Sequence, residues 1–211
     1  MIYVFYHIFC NKYTESIVRD QMMKFMFSGI YNKVDTIFYF LIGEDKYMDS
    51  IIEFFKSLGS KFELSKRDCL ENSYERFTLH SIFQIVKPED KILYIHSKGV
   101  TKIGTCIENN VYDWRTYMEY FLFVKHETCI NLLDSYDTVG VNLQDSPLLH
   151  YSGNFWWCRG DYYLKLDSNH LTPDYHSPEM FICRNSPRAY SFFSSNCNHY
   201  HAIYSMNNYV K

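Results

Sequence analysis

The run Lys91 to Lys98, KILYIHSK, constrains this chain most: an apolar strand stops abruptly at His96, Ser97 and Lys98, followed by Gly99 and a polar loop. In an open α/β sheet, ligands bind in the crevice beyond the carboxyl ends of the strands. Polar groups placed at such an end face a substrate, so the chemistry is expected here, with Lys98 and Lys102 as the first candidates for an anion.

The elements around this strand alternate. Ile2 to Phe9 predicts a first strand, and Ile17, Val18, Met22, Phe25 and Met26 recur at helical spacing behind Thr14, a candidate N-cap. Val34 to Ile42 is a continuous apolar run ended by Gly43. Met48, Ile51, Ile52, Phe55 and Leu58 then share one helical face, before a short strand at Lys61 to Leu64. Ser73 is placed to cap a helix carrying Phe77, Ile82, Phe83 and Val86, which Pro88 ends. Four strands alternating with three helices imply an α/β fold: a largely parallel sheet, right-handed crossovers and helices on both faces. Beyond residue 110 the rhythm changes to two successive helices, Trp114 to Lys125 and Glu127 to Leu133. Strands at Thr138 to Leu143 and Gly153 to Cys158 follow, with short helices at Gly160 to Leu166 and Pro178 to Cys183. The tail, Ser191 to Lys211, is rich in Asn, Tyr and His without a clear period. It suits either wrapping the domain or closing over a ligand.

Composition excludes several classes of function. A chain of 211 residues buries a sizeable core as one domain. A net charge of -3, with no run of Lys or Arg, lacks the electrostatic footprint of a nucleic-acid binder. No apolar stretch is long enough to span a membrane. The opening MIYVFYHIF lacks the basic segment and cleavage site of a signal peptide and suits a buried strand. The seven cysteines (Cys10, Cys69, Cys106, Cys129, Cys158, Cys183, Cys197) are odd in number and never spaced CxxC. They argue against a disulfide framework and a zinc site, so a soluble protein of the reducing cytoplasm is expected. Aromatic residues make up 19% of the chain. They are mainly packing groups, but the cluster Phe155, Trp156 and Trp157 also suits a platform for stacking a sugar.

The blocks ILYIHSKGVT, VYDWRTYMEYFL, DTVGVN, HYSGNFWW and PEMF, in this order, resemble those of small nucleotide-sugar glycosyltransferases of the GT-A fold. The likeness is strongest to the glycosyltransferase domain at the N-terminus of a chlorella-virus protein involved in capsid-protein glycosylation. The resemblance implies one GT-A (Rossmann-like) domain over residues 1–211, with a nucleotide-binding half to about 105 and an acceptor-binding half from about 106. It implies transfer of a sugar from a UDP-sugar donor, UDP-glucose or UDP-rhamnose, to a glycan or glycoprotein acceptor, with retention. Host cytoplasm and further domains in a larger parent protein go with it.

Many GT-A enzymes end the fourth strand with Asp-x-Asp, whose carboxylates hold Mn²⁺ or Mg²⁺ against the diphosphate. Here that place is His96-Ser97-Lys98. The Lys98 ammonium is expected to neutralise the leaving diphosphate in place of a metal, with His96 donating to a phosphate or sugar oxygen. A metal held by Asp145, His199 or His201 is the rival. The base is expected over the first strand's end, at Tyr6, His7, Phe9 and Asn11, with core packing as the rival role for Tyr6. Glu75 and Arg76, behind Tyr74, are expected near ribose and diphosphate. Arg115 either frames the donor sugar or pairs with Glu119 on a helix surface, with Asp113 as a possible N-cap. His150, Ser152, Gly153 and Asn154 supply hydrogen-bonding groups for sugar hydroxyls, and one of Trp156 and Trp157 is expected to face the cleft. Asp145 and Glu179 are the candidate catalytic carboxylates, and Asn154 joins them as a candidate catalytic residue. A non-catalytic nucleotide-sugar-binding domain and an inverting transferase stay open, whereas the absence of GxGxxG and of GxxxxGK[ST] excludes both phosphate-loop readings.

Overall fold

The computed structural model describes residues 1–69 and 73–210; the last tail residue, Lys211, lies outside them. The apolar runs form the sheet: β1 (Ile2–Cys10), β2 (Thr36–Gly43), β3 (Phe62–Asp68) and β4 (Lys91–His96). Between them stand α1 (Thr14–Phe27), α2 (Met48–Leu58) and α3 (Arg76–Ile85). The second half holds α4 (Glu108–Glu119), continued by a π-helical stretch Tyr120–Val124, then α5 (His126–Leu132) and β5 (Thr138–Gly140). It ends with β6 (Leu143–Gln144), β7 (His150–Tyr151), β8 (Trp156–Arg159), α6 (Gly160–Tyr163), α7 (Ser177–Phe181) and β9 (Ala189–Ser191).

Seven strands lie in the order β3-β2-β1-β4-β8-β5-β9, while β6 and β7 form a separate pair. Only β8 in the large sheet pairs antiparallel, to β4 and to β5. The sheet is therefore a mostly parallel mixed one with helices on both faces, as the alternation predicts. Side chains alternate across a strand. Val4, Tyr6 and Ile8 of β1 join one core with residues of α1, α2 and α4, while Phe5 joins a second with residues of α3, α6 and α7. Cys10, Cys129, Cys158 and Cys183 are buried and unpaired.

Three helix starts differ from the sequence expectation. Thr14 is the first residue of α1; its hydroxyl accepts from Asn11 N at 2.6 Å and donates to Phe9 O at 3.0 Å, so it holds the turn before the helix. Ser73 does not cap α3, which begins after Glu75. Asp113 lies inside α4 and accepts from Tyr204 N at 2.6 Å, tying down the tail. The larger correction concerns the two tryptophans. Trp157 is fully buried in the first core and donates to Leu122 O at 3.1 Å; Trp156 is fully buried in the second and donates to Asn154 Oδ1 at 2.9 Å. Because β8 lies inside the sheet with both faces covered, neither ring reaches a cleft.

Candidate functional site

The carboxyl ends of β1 and β4 open into a cavity of about 1160 Å³. Register builds its floor. His7 stands beside His96 in the parallel pairing of these strands, and both project on the face of Phe5 and Tyr94. His96 Nε2 lies 3.1 Å from the Gly153 carbonyl, and because a carbonyl only accepts, the Nε2 proton is committed there rather than to a ligand. His7 Nδ1 meets Thr78 Oγ1 at 2.9 Å. Burial, then the nearby Lys98, pushes His96 down to about 3; burial lowers His7 to about 4 against the pull of Glu75. Both imidazoles are neutral at physiological pH.

Glu75, just ahead of α3, turns its carboxylate into this floor. Its Oε2 accepts from Tyr94 OH at 2.8 Å and from Asn154 Nδ2. Burial raises its pKa, with Glu179 adding to the rise and His7, the Tyr94 hydrogen bond and Lys98 opposing it. Gly153 joins both sides of the floor: its carbonyl meets His96 and its N–H donates to Glu179 Oε1 at 2.6 Å. Its φ of +96° and its packing both require glycine, since a Cβ would fall 2.5 Å from Met118 Sδ and 3.1 Å from Trp114 Cε2.

Lys98 differs from its neighbours. Its ammonium sits 3.6 Å from the centroid of the Trp114 ring, and no described residue gives it a hydrogen bond or an ion pair. Burial depresses its pKa, with Glu179 and Glu75 opposing and Lys102 assisting. A partly desolvated cation lacking a hydrogen-bonded anionic partner has unused capacity for a negative ligand, and Lys102, also in the lining, stands near it as a second cation. Its backbone is fixed from behind, because Arg115 Nη1 donates to Lys98 O at 2.9 Å. Ser97 serves the scaffold: its hydroxyl accepts from Phe9 N at 2.9 Å and its N–H donates to His7 O at 2.9 Å.

The lining includes His7, Phe9, Glu75, His96, Ser97, Lys98, Lys102, His150, Ser152, Gly153, Asn154 and Glu179 from the sequence-derived candidates. Tyr74 and His199 line it as well, and the remaining candidates lie outside it. The Tyr6 hydroxyl is buried and donates to Gln21 Oε1 at 2.7 Å. Asn11 accepts from Tyr13 N at 2.8 Å in the turn before α1. Arg76 lies beyond the lining, its guanidinium 5.4 Å from the Tyr74 ring centroid. Asp145 is exposed between the lining residues Gln144 and Ser146. Arg115, 1% exposed, reaches the site only through the backbone: its Nη2 donates to Asp20 at 2.7 Å and its Nε lies 3.3 Å from Glu119. Lys24 completes the cluster, bonded to Asp20 at 2.9 Å and to Glu119 at 3.0 Å. Arg115 and Glu119 are thus the buried half of a four-charge network whose other members, Asp20 and Lys24, are half-buried, and not a surface pair.

The tail supplies wall residues that sequence periodicity does not reveal. Asn196 to Tyr200 line the cavity, and the His199 ring stacks on Trp114 at 5.3 Å and 8°. Burial, then Lys98, lowers His199 to about 4. His201 lies outside the lining. Asn142, Tyr175 and Tyr200 also belong to the wall and carry no motif. Among the described residues, no group of three or more His, Cys, Asp or Glu is arranged to hold a metal ion.

A family model described as a domain of unknown function (DUF8361) matches residues 5–206. The chain belongs to the DUF8361 family. This DUF8361 chain has the fold of HddC from Yersinia pseudotuberculosis, with a TM-score of 0.57 at 10% identity over 92% of this chain and 91% of that one. The 4-diphosphocytidyl-2C-methyl-D-erythritol synthase of Anaerococcus prevotii aligns at a TM-score of 0.46 and 10% identity, over 98% and 94% of the two chains. No curated protein matches. Among the described residues, no helix of this DUF8361 member is long and apolar enough to cross a membrane.

Proposed function

We propose that the chain is a glycosyltransferase that takes a sugar from a UDP-sugar, UDP-glucose or UDP-rhamnose, to a hydroxyl of a glycan acceptor. One observation carries this reading: the Lys98 ammonium at the carboxyl end of β4, without a hydrogen bond or ion pair from any described residue, in a cavity that also holds Glu75 and Glu179. A diphosphate fits the cationic side, and sugar hydroxyls fit the carboxylates, His150, Ser152 and Asn154. The cavity exceeds the roughly 300–1,000 Å³ typical of a pocket for one small ligand, which leaves room for donor and acceptor together.

In this reading the anomeric C–O bond to the diphosphate breaks with its electron pair on the phosphate oxygen, where Lys98 neutralises the growing charge. The acceptor oxygen forms the new bond on the same face, and its proton passes to the departing phosphate. Glu179, held through Oε1 by Gly153 N–H, lies beside the reacting centre and stabilises the positive charge of the sugar. The buried His7 and half-buried His96, both neutral, add no positive charge beside that centre. The place where related enzymes carry metal-binding carboxylates holds a lysine, which does not suit a hard divalent cation. Residues to about 105 supply most of the nucleotide-binding half and later ones most of the acceptor half, with Tyr74 and Glu75 reaching across, and a viral capsid glycan is the acceptor that the sequence resemblance favours.

Anomeric proton NMR of the product formed from UDP-glucose or UDP-rhamnose tests transfer and stereochemistry together. A product with the donor's configuration is expected. An inverted product contradicts the retaining step, and no turnover with either donor contradicts the transferase reading.

A further inference from the structure

The sequence points to a sugar platform at Phe155, Trp156 and Trp157, and the fold buries those rings. It brings other aromatic rings to the cavity instead. Among the described residues the exposed aromatic side chains are Phe27, Tyr74, Tyr112, Tyr175 and Tyr200, and three of these five, Tyr74, Tyr175 and Tyr200, line this one cavity. They come from three distant segments: the turn before α3, the loop before α7 and the tail. Scattered exposed tyrosines need no explanation, but convergence on one opening does.

Geometry fixes two of the rings in place without covering them. Tyr74 and Tyr175 meet edge to face, with centroids 5.3 Å apart at 90°, while remaining 38% and 61% exposed. Tyr200 stands edge-on to Trp114 at 5.3 Å and 77°, its carbonyl held by Asn110 Nδ2 at 3.0 Å, and is 42% exposed. Tyr74 adopts a φ of +46°, a backbone strain that a bulky residue keeps only where its surroundings impose it. Tyr175 and Tyr200 line the same cavity as Glu75 and Glu179, and Tyr200 packs on Trp114, the ring that also carries the Lys98 ammonium, so the rim adjoins the Lys98 site.

Resting on the transferase reading above, we infer that Tyr74, Tyr175 and Tyr200 form the acceptor subsite, stacking the sugar rings of a neutral oligosaccharide that extends from the cavity into solvent. Tyrosine offers an apolar face for the C–H side of a sugar and a hydroxyl for its polar edge. The adjoining carboxylates Glu75 and Glu179 accept hydrogen bonds from sugar hydroxyls and repel an anionic ligand. The diphosphate is left to the Lys98 ammonium, deeper than the rim. A ligand that touches a rim this exposed has one end outside the protein, as a growing glycan does and an enclosed donor sugar does not.

The test uses a printed array of neutral oligosaccharides, probed with the full chain and saturating UDP, alongside titration with UDP alone. Wild-type protein is expected to bind a subset of the oligosaccharides. The Tyr175→Ala, Tyr200→Ala double variant should lose at least tenfold, whereas Tyr175→Phe, Tyr200→Phe retains binding because the ring faces remain. UDP affinity and melting temperature should stay within twofold and within about 2 °C of wild type. Binding to no oligosaccharide, or equal binding by the alanine variant, overturns the acceptor subsite. A fall in UDP affinity in that variant instead assigns the rim to the nucleobase and also overturns it. If wild-type protein binds oligosaccharides but not UDP, the subsite stands and the donor assignment fails.

Discussion

Arg115 donates through Nη1 to the carbonyl of Lys98 at 2.9 Å, so a guanidinium 1% exposed fixes the backbone of the lysine whose ammonium sits over Trp114 in the cavity. The remaining Arg115 nitrogens face Asp20 and Glu119, and Lys24 bridges the same two carboxylates. Helix α1 and helix α4 are locked together behind the site by these four charges.

Replacing Arg115 by Ala is therefore expected to lower both stability and nucleotide binding. Removing Arg115 takes one of two cations from Asp20 and from the buried Glu119, with Lys24 still bridging both, and frees the Lys98 carbonyl, a loss of roughly 1–3 kcal/mol. Thermal melting checks it. A variant that loses UDP affinity at unchanged melting temperature would mean that Arg115 contacts the ligand directly.

Gly153→Ala should be more disruptive than a single methyl suggests. The added Cβ meets Met118 Sδ at 2.5 Å, and the φ of +96° is unfavourable for any L side chain. A loss of roughly 1–3 kcal/mol follows from the backbone strain alone. His96 and Glu179, joined through this one peptide, should lose their geometry together, read by urea unfolding and by UDP titration of the same preparation.

Stability should fall as pH drops below about 6.5. His7, His96 and His199 are held near 4, 3 and 4 in the folded chain, while in the unfolded chain each protonates near 6.5. Above 6.5 neither state is protonated and the contribution is constant. Below it, the unfolded state binds protons first and is favoured. Glu75 and Glu119, both raised by burial, act in the opposite direction toward the acid end of this window. Melting temperatures at pH 7.5, 6.0 and 5.0 should decline in that order, and a flat or rising series contradicts the burial of neutral imidazoles.

The parts of the fold legible in the sequence are those written in apolar runs. β1, β2 and β4 are continuous hydrophobic stretches, and α2 carries Met48, Ile51 and Phe55 on one buried face. β3 is an edge strand whose outer half, Lys66 to Asp68, is polar, so its length is hidden. The start of α4 is equally obscured, since its first residues, Glu108 to Asn110, show no apolar period. His96, Lys98 and Asn154 are legible as lining residues because they flank a strand end or a glycine, whereas Glu179 stands out only as a carboxylate behind Pro178 in the first turn of α7. Trp156 and Trp157 misled for a physical reason: alternation places them on opposite faces, but only the tertiary fold shows that both faces of β8 are covered. Tyr175 and Tyr200 sit in segments without a period and reach the cavity only through tertiary contacts.

The account turns on Lys98, and calorimetric titration with UDP in excess EDTA, for wild-type protein and Lys98→Ala, tests it most directly. Wild-type binding that survives EDTA is predicted, with affinity falling by about tenfold or more in the variant at an unchanged melting temperature, in keeping with the roughly 1.5–3 kcal/mol of a hydrogen bond to a charged group. Binding that requires added Mn²⁺, or that is the same in the variant, would contradict a lysine-based diphosphate site.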